Sequence, residues 1–479
     1  MFSAVTQSRS FADIVIDEYN AHPDERYIGL YQFLTPTLMI RDLELIKKIA
    51  VKEFDTFPDH KLFTPETADP ISNRNLFALR GSTGEWHDMK SVLTPAFTSS
   101  KLKKMVVLVE QCAEQFVTYL EKQEGVIEVE IKDVFSRYTA DVIGSNAFGI
   151  ACDSFADREN LFYLMVKKMT SFTKIQTLKL FGFLLIPTLM LLMKFKILDE
   201  EDTDFFRSLV IEAIKVREET KITRPDIISL LTEAKRGRLN HDRLESNAMN
   251  SEFAAEKRKR IEITDDDIAA QAVLFIFAGY DTISTVLCYM SYELARNPVI
   301  QETLHKEIEE NCLDGITYET VVGMKYLDCV VSETLRRWTP GAVIDRFSVK
   351  PFTIEPENPG EKPVHLEAGS FIWLPVIAIH RDPKYYPDPQ KFNPDRFSDE
   401  NKKNIKPFSY LPFGAGPRTC LGQRFALLEM KLLMIKILQK FEIVPVDKTP
   451  NSIVYGKCTF SPYPDDGIWL GFKSRKYCY

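Results

Sequence analysis

Phe413-Gly-Ala-Gly-Pro-Arg-Thr-Cys-Leu-Gly422 is the stretch on which the reading of this chain turns. It runs directly into a segment of helical periodicity, about Leu421 to Lys440. A cysteine at that junction meets unpaired backbone N–H groups and the positive end of a helix dipole, and both favour an ionised sulfur able to bind a metal. The same N–H groups can donate to that sulfur. Gly416 and Gly422 allow backbone to approach a flat group closely. Arg418 can meet a carboxylate, and Phe413 supplies an apolar wall. Eight cysteines stand at 112, 152, 288, 312, 329, 420, 458 and 478, with no C-x-x-C pair. That density is far below a disulfide scaffold, so the others read as small buried apolar side chains in a reducing compartment.

Outward from the motif, the pattern is mainly α with a small β portion. Strand-like runs at Arg26–Tyr31 and Pro36–Ile40 precede a helix at Asp42–Lys52. Helical periodicity then marks Glu85–Phe97, Ser100–Lys122, Ile131–Phe148, Arg158–Ser171, Asp202–Thr220 and Arg224–Ala234. Residues 235–262 are dense in charge and read as a solvated linker. Thr264 can cap the long helix that follows, where Asp265, Asp266 and Asp267 suit the dipole. That helix should reach Asn297-Pro298, roughly 50 Å away, and its apolar faces place it inside the protein. Helices at Val299–Asn311 and Thr317–Arg337, strands and turns over Arg346–Leu374, a long loop over His380–Thr419 and strand-like segments at the end complete the order. Length alone would suggest about three domains. A helix that long threads one body, which favours a single domain over residues 1–479.

The balance of 68 acidic against 61 basic residues, net charge −7, argues against a nucleic-acid binder. The first twenty residues carry Asp13, Asp17 and Glu18 and do not read as a leader or anchor. The longest apolar run, Phe181–Met193, contains Pro187 and is too short to span a bilayer. It fits either a buried helix or an interfacial segment flanked by Lys179, Lys194 and Lys196 as snorkelling cations.

Three further stretches ask for a reason. Glu333-x-x-Arg336 puts two charges on one helix face, commonly a surface ion pair. Gly279 sits inside the long helix, in Ala278-Gly-Tyr-Asp281-Thr282-Ile283, where glycine costs about 1 kcal/mol relative to alanine. A small residue there would let the helix open. Thr282 alone could simply bond back to the preceding turn.

The motif F-x-x-G-x-R-x-C-x-G, present as Phe413, Gly416, Arg418, Cys420 and Gly422, resembles the haem-binding signature of the cytochrome P450 superfamily. The resemblance extends from about residue 25 to the end. LTPAFTSSKLKKM, DVIGSNAFGI and YLPFGAGPRTCLGQRFALLEMK look most like insect microsomal members of family nine, in the xenobiotic-metabolising clan. It implies haem with Cys420 as axial thiolate and metal ligand. It also implies a buried ionic cluster of Glu333 and Arg336 with Arg396 of Phe392-Asn-Pro-Asp-Arg396-Phe397, and proton delivery by Asp281 and Thr282. Trp86-His-Asp-Met-Lys90 resembles the family's Trp-x-x-x-Arg segment, so Trp86, Lys90 and Arg346 are expected at the haem propionates. Lysine in the last position keeps the charge and loses the bidentate fork.

The implied reaction inserts one atom of O2 into a lipophilic small molecule, with a xenobiotic the expected class. Thiolate ligation favours O–O cleavage, and the protein supplies ligand, proton path and pocket. No G-x-G-x-x-G loop occurs, so electrons are expected from NADPH through a separate cytochrome P450 reductase, with cytochrome b5 as a second donor. Lys101, Lys103, Lys104, Lys402, Lys403 and Lys406 are the docking candidates. Full-length members carry an N-terminal anchor helix and a Pro-rich hinge that this sequence does not show. The expected place is the cytosolic face of the endoplasmic reticulum membrane, and the comparison favours the interfacial reading of Phe181–Met193. By analogy the pocket is lined by Phe275, Ile276, Ala278, Ala342, Val343, Ile344 and Phe460. The rival readings are a haem-thiolate isomerase or dehydratase, which should lack the acid–alcohol pair, and a non-catalytic haem-binding sensor.

Overall fold

The computed structural model describes residues 9–32, 34–61, 70–171, 174–196, 198–221, 226–236, 263–313, 315–457 and 462–475. Its axis is the helix Asp265–Arg296, 32 residues long. Thr264 caps it in a reciprocal box, its hydroxyl accepting from the Asp267 N–H while the Asp267 carboxylate accepts from the Thr264 N–H. Arg74 also donates to Asp267, at 2.6 and 3.0 Å, so the first turn is tied to a distant segment. The helix ends as expected at Asn297, and Pro298 opens the next one.

The two halves of this helix enter two different apolar clusters. Ile268 to Tyr280 pack with Phe148, Phe162, Phe206 and Ile228. Ile283 to Ala295 pack with Phe116, Phe135, Leu335 and the helix Gln423–Lys440. The stretch Gly279–Thr282 therefore lies at the seam between the two cores.

Among the described residues nine strands form three small sheets: β1 Tyr27–Gln32, β2 Thr35–Ile40, β3 Val126–Glu130, β4 Ile344–Phe347, β5 Phe352–Ile354, β6 Val364–Leu366, β7 Phe371–Leu374, β8 Phe441–Pro445 and β9 Trp469–Ser474. The largest has the order β1-β2-β7-β4, with β2 and β7 parallel. This is the expected mainly helical architecture with a small β portion.

Several expectations are corrected. β3 was not anticipated; its pairing with β9 joins Val126 to Lys473, and nothing local announces it. The expected helix Thr317–Arg337 is two, Tyr318–Gly323 and Lys325–Arg337, parted at Met324. The break is bonded from outside, because the Glu307 carboxylate accepts from the N–H groups of Tyr326 and Leu327 at 2.7 and 2.8 Å. Glu85–Phe97 becomes an α-helix to Leu93 and a 3₁₀ turn over Thr94–Phe97. Most of the charged stretch 235–262 lies outside the described residues.

The apolar run forms two helices, Lys174–Leu185 and Pro187–Leu192, with Ile186 out of helical geometry between them. Gly182 lets the second fold back, since a Cβ there would come 2.6 Å from the Met190 sulfur. Phe183 and Met190 are buried, whereas Leu178 and Leu192 are 72% and 80% exposed. A helix buried on all sides would not present those side chains to solvent. Two of the expected snorkelling lysines are ion-paired, Lys179 with Asp199 and Lys196 with Glu200.

Candidate active site

A cavity of about 770 Å³ opens along the seam. That volume falls in the range of small-molecule and cofactor sites. Phe275, Ala278, Gly279 and Thr282 of the central helix line it, as do Ala342, Val343 and Ile344. Ile276 does not: it sits a third of a turn from Phe275 and is wholly buried in the core. Phe460 lies outside the described residues.

Cys420 reaches the cavity from its loop. Its N–H donates to the Phe413 carbonyl at 2.8 Å, closing the loop just before the helix Gln423–Lys440. Among the described cysteines, 112, 152, 288, 312 and 329 are buried, and Cys420 alone exposes its sulfur, into the cavity. The N–H groups of Gly422 and Gln423 point at that sulfur and favour the thiolate. Burial outweighs them and holds the thiol pKa above its usual value. The helix N-terminus therefore works against burial at this sulfur, and a cation bound in the cavity would favour the thiolate further.

The loop is positioned by buried charge. Glu333 and Arg336, both fully buried, pair at 2.7 and 2.9 Å. Arg396 approaches Glu333 at 3.4 Å, and the Asn393 N–H donates to it at 2.9 Å. Arg336 donates onward to the carbonyls of His380 and Pro389. His380 in turn accepts the Leu411 N–H on Nε2 at 2.8 Å. It can accept because burial and Arg336 push its pKa down to about 3, leaving the ring neutral. A chain of hydrogen bonds thus runs from Glu333 to the residues just ahead of Phe413. His380 had not been picked out in the sequence, where a lone histidine before a loop carries no signal.

One end of the cavity is cationic. Arg346 is 1% exposed; it donates to the Asp345 and Ala415 carbonyls, and its Nε has no partner. Arg418 donates to the carbonyls of Pro58, Leu76 and Leu79 and lies 3.6 Å from Asp59. Two cations lie over the Trp86 ring, Lys90 at 4.8 Å and Arg418 at 4.3 Å from its centroid. Lys90 donates to the Pro417 carbonyl, so the lysine that departs from the resemblance braces the cysteine loop directly. Burial pushes Arg346 down to about 10 and Arg418 down to about 9, and depresses Lys90 as well. Buried cations held this low lack sufficient counter-charge, and an anionic group in the cavity would supply it.

The glycines divide. A Cβ on Gly416, whose φ is +72°, would lie 2.0 Å from the Ala50 carbonyl oxygen, so this glycine serves the packing of the loop on the turn Lys48–Lys52. Its expected role in admitting a flat group is replaced by that one. A Cβ on Gly422 would meet only Phe97, at 3.9 Å, which leaves its cavity side open.

On the central helix, Thr282 and Asp281 part company. Thr282 faces the cavity and donates to the Ala278 carbonyl at 2.5 Å. Asp281 is off that wall, and its carboxylate accepts from Lys132 at 2.8 Å. Lys132 also donates to Ser284 and Thr285, clamping the helix Ile131–Ile143 to the central one. The helix does not open at Gly279 but remains α-helical throughout; a Cβ there would come 3.1 Å from Ile143, so the glycine admits a close helix crossing.

A metal needs more than one sulfur to be held, and no group of three or more metal-binding side chains exists among the described residues. Among the described residues the donor set is a single thiol facing an apolar-walled cavity with a cationic end. It fits a metal carried in a flat macrocycle bearing carboxylates.

The family model described as Cytochrome P450 matches residues 17–465. Cytochrome P450 9e2 of Blattella germanica is 44% identical, covering 98% of this chain and 90% of that protein. Probable cytochrome P450 9f2 of Drosophila melanogaster is 39% identical over the same shares, and Cytochrome P450 6k1 of Blattella germanica 34% identical over 93% and 84%. With the cavity-facing thiol of Cys420, the buried Glu333–Arg336 pair and this coverage, the chain belongs to the cytochrome P450 family and is a haem-dependent monooxygenase.

Proposed function

We propose that the chain is one haem-thiolate domain over residues 1–479 that oxidises lipophilic xenobiotics, with Cys420 as axial ligand. The observation that carries this reading is the exposure of the Cys420 sulfur alone, among the described cysteines, to a mostly apolar cavity with a cationic end. Haem supplies O2 activation when bound. The residues of the chain do the rest. Trp86, Lys90, Arg346 and Arg418 receive the propionates; Phe413 walls the sulfur and Gly422 leaves room beside it, while Gly416 shapes the loop. Thr282 holds a hydroxyl on the cavity wall and can pass a proton there. Asp281, drawn off by Lys132, serves as the acid partner when its carboxylate swings from that cation.

Electrons come from NADPH through a separate reductase, with cytochrome b5 as a second donor. Lys101, Lys104, Lys403 and Lys406 are the better docking candidates, because Lys103 and Lys402 are already paired with Glu319 and Asp399. The exposed leucines of Lys174–Leu185 and Pro187–Leu192 support contact with the cytosolic face of the endoplasmic reticulum membrane. The aliphatic and aromatic walls support lipophilic substrates. Product formation should require NADPH and reductase together, and Cys420→Ala should abolish the thiolate-type carbon monoxide spectrum. A normal spectrum in that variant would end the ligand assignment.

A further inference from the structure

The cavity also has a polar corner apart from its cationic end. Gln32, Lys61 and Phe371 line it there, beside Phe11 and Trp373. The sheet order β1-β2-β7-β4 sets the separation. Asp345 and Arg346 stand on β4 at one edge, where Arg346 holds the Ala415 carbonyl of the cysteine loop, and Gln32 ends β1 at the other. Three strand spacings lie between them, roughly 14 Å. Lys61 bridges that width. Its N–H donates to one oxygen of the Asp345 carboxylate and His60 Nδ1 to the other, both at 2.8 Å. Its ammonium reaches toward the far edge, lying 4.7 Å from the centre of the Phe371 ring on β7 and donating to the Thr35 hydroxyl on β2 at 3.1 Å. Thr35 is the direct cross-strand partner of Gln32, so those two side chains stand on one face of the hairpin.

Both side chains of this corner are short of a partner. An ammonium has three protons and no acceptor. A hydroxyl and an aromatic face engage the Lys61 ammonium, neither of them charged, and no described carboxylate is ion-paired with it. Burial holds its pKa below the usual lysine range, with Asp345 opposing. Gln32 Oε1 is buried and accepts from nothing. A buried acceptor left without a donor carries its full desolvation cost. We propose that Lys61 and Gln32 receive the polar head of a substrate: an amphiphile with a carboxylate and an amide N–H at one end of an apolar chain, as in an N-acyl amino acid. This deepens the monooxygenase reading above and rests on it. The carboxylate gives Lys61 its counter-ion, and the N–H gives Gln32 Oε1 its donor. The acyl chain then runs along the apolar walls toward Ile344 on β4 and the cysteine loop. A neutral lipophile fills the same walls without these two bonds, so the pair sets preference rather than entry.

The test is a spin-state titration of the ferric holoenzyme at about pH 7, where the probe carboxylate is ionised. The probes are N-dodecanoylglycine, its methyl ester, and N-dodecanoylsarcosine, which keeps the carboxylate and lacks the N–H. Wild type should bind the glycine conjugate about tenfold more tightly than the ester, the worth of one charge-assisted hydrogen bond. It should bind that conjugate about threefold more tightly than the sarcosine one, the worth of a neutral bond. Lys61→Met should erase the first preference and Lys61→Arg should keep it, whereas Gln32→Leu should erase the second. Equal binding of acid and ester by wild type, a first preference that survives in Lys61→Met, or a second that survives in Gln32→Leu overturns the assignment. A thiolate-type carbon monoxide spectrum in the same samples leaves the Cys420 reading standing, so the two failures are distinguishable.

Discussion

Glu333→Gln should destabilise the folded protein far more than its small change in shape suggests. The carboxylate and Arg336 are both fully buried, 2.7 and 2.9 Å apart, and Arg396 shares the same anion at 3.4 Å. Glutamine keeps the carbonyl oxygen, so the Asn393 N–H keeps an acceptor, but the charge goes and two guanidinium groups remain. Leaving a buried charge uncompensated costs about 3–5 kcal/mol. An exposed pair such as Lys325–Asp399, with both side chains more than half exposed, should lose little when broken in Asp399→Asn. The loss should also be local in consequence, because Arg336 holds His380 and His380 holds Leu411. Denaturant unfolding of the ferric holoenzyme, followed by far-ultraviolet dichroism and by the Soret band, measures both. Glu333→Gln should lower the midpoint strongly, with Soret loss running ahead of helix loss. A midpoint within about 0.5 kcal/mol of wild type, or the same shift in Asp399→Asn, would refute the reasoning.

Thr282→Ala should retain haem and thermal stability while diverting NADPH electrons to peroxide; unchanged coupling between NADPH use and product would count against the hydroxyl's role. Asp141 is wholly buried, and burial pushes its carboxyl up to about 6 from 3.8, although it accepts from Ser154. A raised folded-state pKa gives stability that is present below about pH 4 and lost as pH rises through 6. Two units correspond to about 3 kcal/mol, so Asp141→Asn should flatten the stability–pH curve between pH 4 and pH 6, and a curve identical to wild type would contradict it. Replacing Leu178, Leu189 and Leu192 with serine should weaken binding to phospholipid vesicles at least tenfold in co-sedimentation, on the order of 1 kcal/mol for each side chain withdrawn. Unaltered sedimentation would move the membrane contact elsewhere.

Much of this was legible in the sequence because its causes are local. Thr264 with three aspartates announces a helix start, since a cap and a dipole act within one turn. The cysteine loop and its following helix are contiguous, and the chain's own order places Cys420 at their junction. Phe275, Ala278 and Thr282 share a wall because helical spacing puts them there. The ionic cluster was expected only through resemblance, and its geometry agrees. The interruption at Met324 was illegible because the group that bonds the second helix start, Glu307, belongs to the preceding helix.

By itself, then, the sequence determined the family, the mainly helical class, the central helix and the identity of the sulfur that meets the cavity. Only the tertiary structure decided that Thr282 faces that cavity while Asp281 turns to Lys132, that Gly416 serves Ala50, and that His60 stands beside Asp345. The physical reason is range. Caps, dipoles and helical periods act over a few residues, whereas partners far apart in the chain, such as Asp59 and Phe347, meet only when packing of the two cores brings their backbones to hydrogen-bonding distance.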